Sequence, residues 1–275
     1  ITSAGISLLN ISTSESRLLY SNITEDFFQV PSLYYDDQLK RLWIGTGSAG
    51  LFYYDIIRKS LSDIPIRNFP KQPILAIRKD AKNTLLIGID GQGIWNISEK
   101  GDTILHIYKE DLNNPFSLRG DGVYDILCDG SKNWIATFTG KLSFFENNNS
   151  QITPVTYQIN NPNSLGNNYV NQIIEDHEGH IWFATNNGVS RWDAASNKWK
   201  HYYQNKSEQA KVFLSLCEDN QGHIWAGSYS SGIYLLDRET GKTLKHYSSK
   251  TNTPGFTGDF IFDFFVDKEG DVWIG

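Results

Sequence analysis

The sequence predicts an all-β fold, a β-propeller of four-stranded blades. Three observations predict it: a strand motif that recurs six times, an acidic turn ahead of that motif, and a composition rich in aromatics and glycine. The motif reads Leu42-Trp43-Ile44-Gly45, Leu85-Leu86-Ile87-Gly88, Asn133-Trp134-Ile135-Ala136, Ile181-Trp182-Phe183-Ala184, Ile224-Trp225-Ala226-Gly227 and Val272-Trp273-Ile274-Gly275. Its second residues lie 43, 48, 48, 43 and 48 positions apart, the period of a repeated supersecondary unit. Asp37, Asp80, Asp176, Asp219 and Asp267 stand six residues before that position, and Asp129 stands five before it. The 275 residues include 8 Trp, 14 Tyr, 15 Phe and 23 Gly. Aromatics favour strands, and glycine supplies tight turns.

The acidic turns come first in the derivation. Three read Asp-x-x-Gly (Asp176 to Gly179, Asp219 to Gly222, Asp267 to Gly270), and Asp80 to Asn83 is a fourth. Asp at the first position accepts backbone N–H groups, and Gly or Asn at the fourth turns left-handed. Each is therefore a hairpin turn, and its acid a turn former, not a catalyst. Strand A precedes the turn, as in Val170 to Ile174, and strand B carries the Trp. A short turn ending in Gly50, Gly93, Gly140, Gly188 or Gly232 leads to strand C, as in Leu51 to Tyr54 or Val189 to Trp192. Strand D is less regular: Ile104 to Tyr108, Val155 to Gln158, Trp199 to Tyr203 and Leu244 to Tyr247.

These elements give full blades over 31–68, 73–109, 122–158, 169–204 and 211–248, with half blades at 1–30 and 259–275, in a single propeller domain. One blade cannot bury both faces, so neighbours must cover them. Trp43, Trp134, Trp182, Trp225 and Trp273 are expected to be largely buried between blades. Residues 1–9 align with 45–53. The two half blades could complete one six-bladed ring, or the chain could be an arc of a larger, seven-bladed one. A chain that starts at Ile1 and holds no Met reads as a processed or cut-out piece.

Composition and spacing narrow the function. A net charge of -6 argues against nucleic acid, which needs clustered cations. No apolar run reaches the roughly 20 residues of a membrane span, so a membrane is expected only through segments outside this chain. Cys128 and Cys217 sit in apolar strand-like runs and read as buried thiols, not a disulfide framework. His106, His201 and His246 share a strand-D position in different blades. His177, His180 and His223 belong to turns. None has zinc spacing, so neither a metal nor a cofactor is expected. Gly91-Gln92-Gly93 has no helix after it and is no phosphate loop.

Ligands of propellers sit on the end that carries the B–C turns and D–A connections. Polar side chains there can bond hydroxyls, and aromatics can stack on a sugar face. The candidate ligand residues are Tyr229, Asn186, Asn187, Arg119, Asp90, Gln92, Phe138 and Tyr169. Asp121, Asn168 and Asp259 lie in the same D–A connections.

The stretches Asp176 to Asp193 and Leu42 to Asp55 resemble the two-component regulator propeller repeat: Asp-x-x-Gly, an apolar-Trp-apolar-Gly-Thr run, a short turn, Gly-Leu and a closing Asp. Phe116-Ser117-Leu118 and Asn163-Ser164-Leu165 fit the segment ahead of strand A. The resemblance implies a periplasmic sensor region of a hybrid two-component system. Its kinase and membrane span would lie elsewhere in the parent protein, through which it could form a homodimer. It further implies an oligosaccharide or other small-molecule ligand and no catalysis in this segment. No phosphoacceptor His box, ATP-binding motif or receiver segment occurs in the sequence. Two readings compete: a non-binding scaffold for receptor dimer or domain contacts, and a propeller lyase or hydrolase whose carboxylates converge at the axis.

Overall fold

The computed structural model describes residues 6–10, 13–20, 29–203, 211–250, 256 and 258–275. Every regular element among them is a strand, and among these residues no helix is long and apolar enough to cross a membrane. The chain divides into two compact units, residues 1–131 with 147–151, and 132–146 with 152–275.

The first unit opens with the hairpin β1 (Ile6–Asn10) and β2 (Glu15–Tyr20). Two four-stranded sheets follow: β3 (Ser32–Asp36), β4 (Arg41–Gly45), β5 (Leu51–Asp55) and β6 (Ser60–Asp63), then β7 (Ile74–Lys79), β8 (Leu85–Ile89), β9 (Gly93–Ile97) and β10 (Ile104–Tyr108). Strand β11 (Val123–Cys128) ends the unit. The second unit holds the hairpin β12 (Lys132–Thr137) and β13 (Lys141–Glu146); β14 (Asn149–Val155) runs across the division. It goes on with β15 (Val170–Glu175), β16 (Ile181–Thr185), β17 (Gly188–Asp193) and β18 (Lys198–Tyr202), and with β19 (Phe213–Glu218), β20 (Ile224–Ser228), β21 (Ile233–Leu236) and β22 (Thr243–Tyr247). The hairpin β23 (Phe264–Val266) and β24 (Val272–Ile274) closes it.

Within each four-stranded sheet of a unit the strands lie in chain order and pair antiparallel, which is the make-up of a propeller blade. In the third set the expected strand D over Val155 to Gln158 is displaced: it is β14, ending at Val155. Asn147 and Asn148 return the chain at once, so strand D starts at Asn149, and a turn closed by Asn161 N–H on Gln158 O (3.2 Å) comes after it.

The Trp motif works through its turn. Asp176 accepts N–H groups from Glu178 (3.0 Å), His180 (2.9 Å) and the indole of Trp182 (2.8 Å). Asp219 does the same for Gln221, His223 and Trp225, and Asp267 for Asp271 and Trp273. The six-residue spacing is thus the reach of a turn carboxylate to an indole on the next strand. Asp80, ahead of Leu86, spends its oxygens on Lys82 and Thr84 instead.

The first blade departs from the expectation, because Asp36, not Asp37, holds its turn. Asp36 pairs with Arg41, leaving a four-residue turn where Glu175 and Ile181 leave five. The buried Asp36 accepts from Gln38 and Leu39, and exposed Asp37 pairs with Lys40. The indole N–H of Trp43 consequently finds no partner among the described residues.

Trp43 and Trp182 are 0% exposed and Trp134 1%. Trp182 packs with Phe213, Leu216 and Ile224 of the next blade, and Trp43 with Ile74, Ile77 and Leu85 of its own neighbour. One of the five expected burials does not hold: Trp273 is 44% exposed, whereas Trp225 keeps only a minor part of its surface in solvent. Trp182 and Trp225 stack on the strand-D tyrosines Tyr202 and Tyr247. Trp273 sits in a two-stranded sheet without such a ring, and the same short sheet is the next one in the chain after the blade of Trp225.

Candidate functional site

Two sets of backbone bonds gather the B–C turns and D–A connections at one end of each sheet. The first residue of a turn bonds to the entry of its own strand A: Asn186 N–H to Tyr169 O (3.1 Å), Tyr229 N–H to Val212 O (2.9 Å) and Asp90 N–H to Pro73 O (2.9 Å). The closing glycine bonds to the entry of the following strand A: Gly188 N–H to Lys211 O (2.9 Å), Gly232 N–H to Asp259 O (3.0 Å) and Gly93 N–H to Asp121 O (2.8 Å). The Asp-x-x-Gly turns occupy the opposite end. Strand A also bulges at this entry. Its register shifts between Val170 and Gln172 and between Phe213 and Ser215, a device that re-aims one side chain.

The second unit brings most of the candidates together. Phe138, Tyr169 and Tyr229 are each more than half exposed there. The Tyr169 ring lies over the turn of Phe138: a Cβ on Gly140 would stand 2.8 Å from it. Tyr229 meets Phe260 edge to face, with centroids 5.2 Å apart. The bulged Asn171 donates to Asn186 Oδ1 (3.0 Å) and to Phe213 O (2.7 Å). Asn187 N–H donates to Thr185 Oγ1 (3.1 Å), and the Asn187 Oδ1 is buried with no partner among the described residues.

The other three candidates fall in the first unit. Asp90 is exposed, Gln92 Oε1 accepts from Lys109 Nζ (3.1 Å), and Arg119 Nη2 donates to Pro115 O (2.7 Å). Asp121, Asn168 and Asp259 share one structural task. Their side-chain oxygens accept the N–H of Glu110, Tyr157 and Ser249, each at 2.7 Å, and so pin each D–A connection to the end of strand D.

Sequence reasoning missed Phe260 and Phe262, both exposed by more than half. Phe260 precedes Ile261 as Tyr169 precedes Val170, and both rings lie against the B–C turn of the preceding blade. The one signal in the sequence was Tyr169, an aromatic just ahead of the first apolar residue of strand A in another blade.

The opposite end of the second unit is ionic. Arg238 pairs with Glu178 (2.6 Å) and Glu218 (3.4 Å), and Glu218 meets His177 Nδ1 at 2.6 Å. Burial works to raise the Asp176 carboxyl, but the Trp182 and His180 donors outweigh it and hold it below the usual value. Both thiols are half-buried, not fully buried as expected, and burial pushes Cys128 and Cys217 up to about 12. Among the described residues no group of three His, Cys, Asp or Glu could hold a metal ion.

Residues 164–187 and 207–230 match the family described as two component regulator propeller. None of the curated proteins compared with the chain matches it. Among solved structures, the chain is similar to the extracellular domain of the protein described as hybrid two component system BT3049 from B. thetaiotaomicron, at 19% identity and a TM-score of 0.58. That match covers 99% of this chain and 40% of the other, so the chain spans well under half of that domain. It is also similar to the computationally designed Ika8 protein, at 12% identity and a TM-score of 0.66, over 99% of this chain and 78% of that one. The sheets and the repeat match make the fold that of β-propeller blades.

Proposed function

We propose that this chain is an extracytoplasmic ligand-sensing propeller of a two-component receptor, that it recognises an oligosaccharide, and that the kinase it informs lies outside the chain. The aromatic row Phe138, Tyr169, Tyr229 and Phe260 at the loop end of the second unit carries the reading. Exposed rings beside polar amides are what a sugar face and its hydroxyls require. Regulator propeller repeats and the likeness to an extracellular receptor domain support the sensor role and a periplasmic location. The reading assigns no reaction to the chain. Asp176, Asp219 and Asp267 are engaged as turn acceptors, and Asp259 as a loop staple. Dimerisation would come through the parent receptor.

Calorimetric titration of the protein with defined oligosaccharides tests the reading. Binding of at least one, weakened about tenfold by Tyr229→Ala, is expected; a tenfold loss is about 1.4 kcal/mol. The variant Arg119→Ala tests the candidate of the first unit by itself. Affinities unchanged in both variants would remove the site assignment.

A further inference from the structure

At the end of the sheets that carries the A–B turns, one ionic arrangement occurs twice, once in each unit. In the first unit it centres on Lys79, the last residue of β7. Its Nζ donates to Asp36 (3.1 Å) and Gln38 (3.0 Å) at the A–B turn of the preceding blade, and to Glu99 (2.6 Å) in the C–D turn of its own. In the second unit it centres on Arg238, in a C–D turn. Arg238 reaches Glu178 (2.6 Å) in the preceding A–B turn and Glu218 (3.4 Å), the last residue of β19 in its own blade. The positions correspond. Lys79 lies opposite Leu85 and Glu218 opposite Ile224, each one residue before the second position of the repeated motif. Glu99 follows Ser98, whose N–H donates to Thr103 O (2.9 Å), and Arg238 follows Asp237, whose N–H donates to Lys242 O (2.9 Å). Each arrangement joins one cation to two carboxylates. Between the two, the cation and the carboxylate of its own blade have changed places.

We propose that the end of strand A and the C–D turn of a blade form a two-position ionic clamp on the A–B turn of the blade before it. The clamp requires opposite charges at its two positions and no particular charge at either. The cations are deep enough for this to matter. The Lys79 and Arg238 side chains are only 10% and 12% exposed. A cation so far out of water must be paired and hydrogen-bonded, and salt screens its partners less than on an open surface. The carboxylate of the preceding turn ties the two blades together, and the carboxylate of the same blade holds the cation in place. In the second unit Glu218 adds a further tie across the junction, accepting the His177 backbone N–H (2.7 Å). Elsewhere at these junctions the blades meet by apolar packing, as Trp182 does with Phe213, Leu216 and Ile224. Apolar burial is non-directional. The clamp supplies what it lacks, a fixed sideways register of one sheet on the next, and does so whether or not a sugar binds at the other end.

The test is a charge-exchange cycle in the second unit, read by thermal melts at low and high salt. Arg238→Glu sets three carboxylates together at the junction and is expected to lower the melting midpoint by about 4 °C or more. Glu218→Lys sets a second cation beside Arg238 and is expected to lower it as well. Both losses should shrink at high salt, where like charges repel less. The double variant Glu218→Lys with Arg238→Glu reproduces the charge order of the first unit. It is expected to recover at least half of the loss of the worse single variant. Recovery is incomplete because a lysine cannot accept the His177 N–H. If Arg238→Glu fails to fold, a double variant that is soluble and melts cooperatively is the supporting result, and a double variant that also fails overturns the clamp. Single variants that melt with the wild type would overturn it too. So would a double variant no more stable than the worse single one, since exchange of the charges would then not be tolerated.

Discussion

At the residue scale, the six-residue step from Asp to Trp is the most legible feature of the sequence, because it encodes a hydrogen bond. Trp182 is fully buried, stacked on Tyr202 and bonded to Asp176. Trp182→Ala should therefore cost about 3–5 kcal/mol in a denaturant melt, the range for large-to-small core changes; a loss below about 1 kcal/mol would contradict the packing. The carboxyls of Asp176, Asp219 and Asp267 are all held below the ordinary 3.8. Their unfolded forms bind protons first as pH falls, so their stabilisation is complete above about pH 5 and drains away as pH drops through 3.8 towards the folded values. Asp176→Asn should make the acid limb of a stability-against-pH curve shallower and leave its form above pH 5 unchanged; an equally steep limb would rule the linkage out. Pattern could not separate Asp36 from Asp37, because the choice depends on a turn one residue shorter.

At the element scale, apolar-Trp-apolar strands and closing glycines were readable, and irregular pairings were not. The strand-A bulges at Asn171 and Leu214 leave no trace in composition, since the bulged residue is polar in one blade and apolar in the next. Strand β14 slid forward because its two-residue turn sets the register, which hydrophobicity alone does not. The turn glycines give a matched experiment. Gly232 has φ +75 and a Cβ there would run into the Tyr247 carbonyl, whereas Gly91 has φ +67 with open space around it. Gly91→Ala should cost only the left-handed penalty, about 1–2 kcal/mol. Gly232→Ala should cost clearly more, because the backbone at Tyr247 and Ser248, where strand β22 ends, must shift. Equal losses for the two variants in thermal melts would show that the Gly232 turn is not clamped as described.

At the scale of the whole molecule, the repeat made the blades legible, and the candidate site was legible in part. Phe138, Tyr169, Asn186, Asn187 and Tyr229 share one end of the second unit, whereas Asp90, Gln92 and Arg119 belong to the first. Phe260 escaped notice because strand A at the last hairpin is short and its entry carries a Phe where the other blades show Tyr, Val, Pro or Gly. The sensor reading depends on where a sugar binds. The most direct measurement is a crystal structure of the protein with an oligosaccharide that calorimetry has shown to bind. The account predicts the sugar on the loop end of the second unit, against Tyr169, Tyr229 and Phe260 and within hydrogen-bond reach of Asn186 or Asn187. A sugar seated at the opposite end, among Asp176 to His180 and Asp219 to His223, would contradict it.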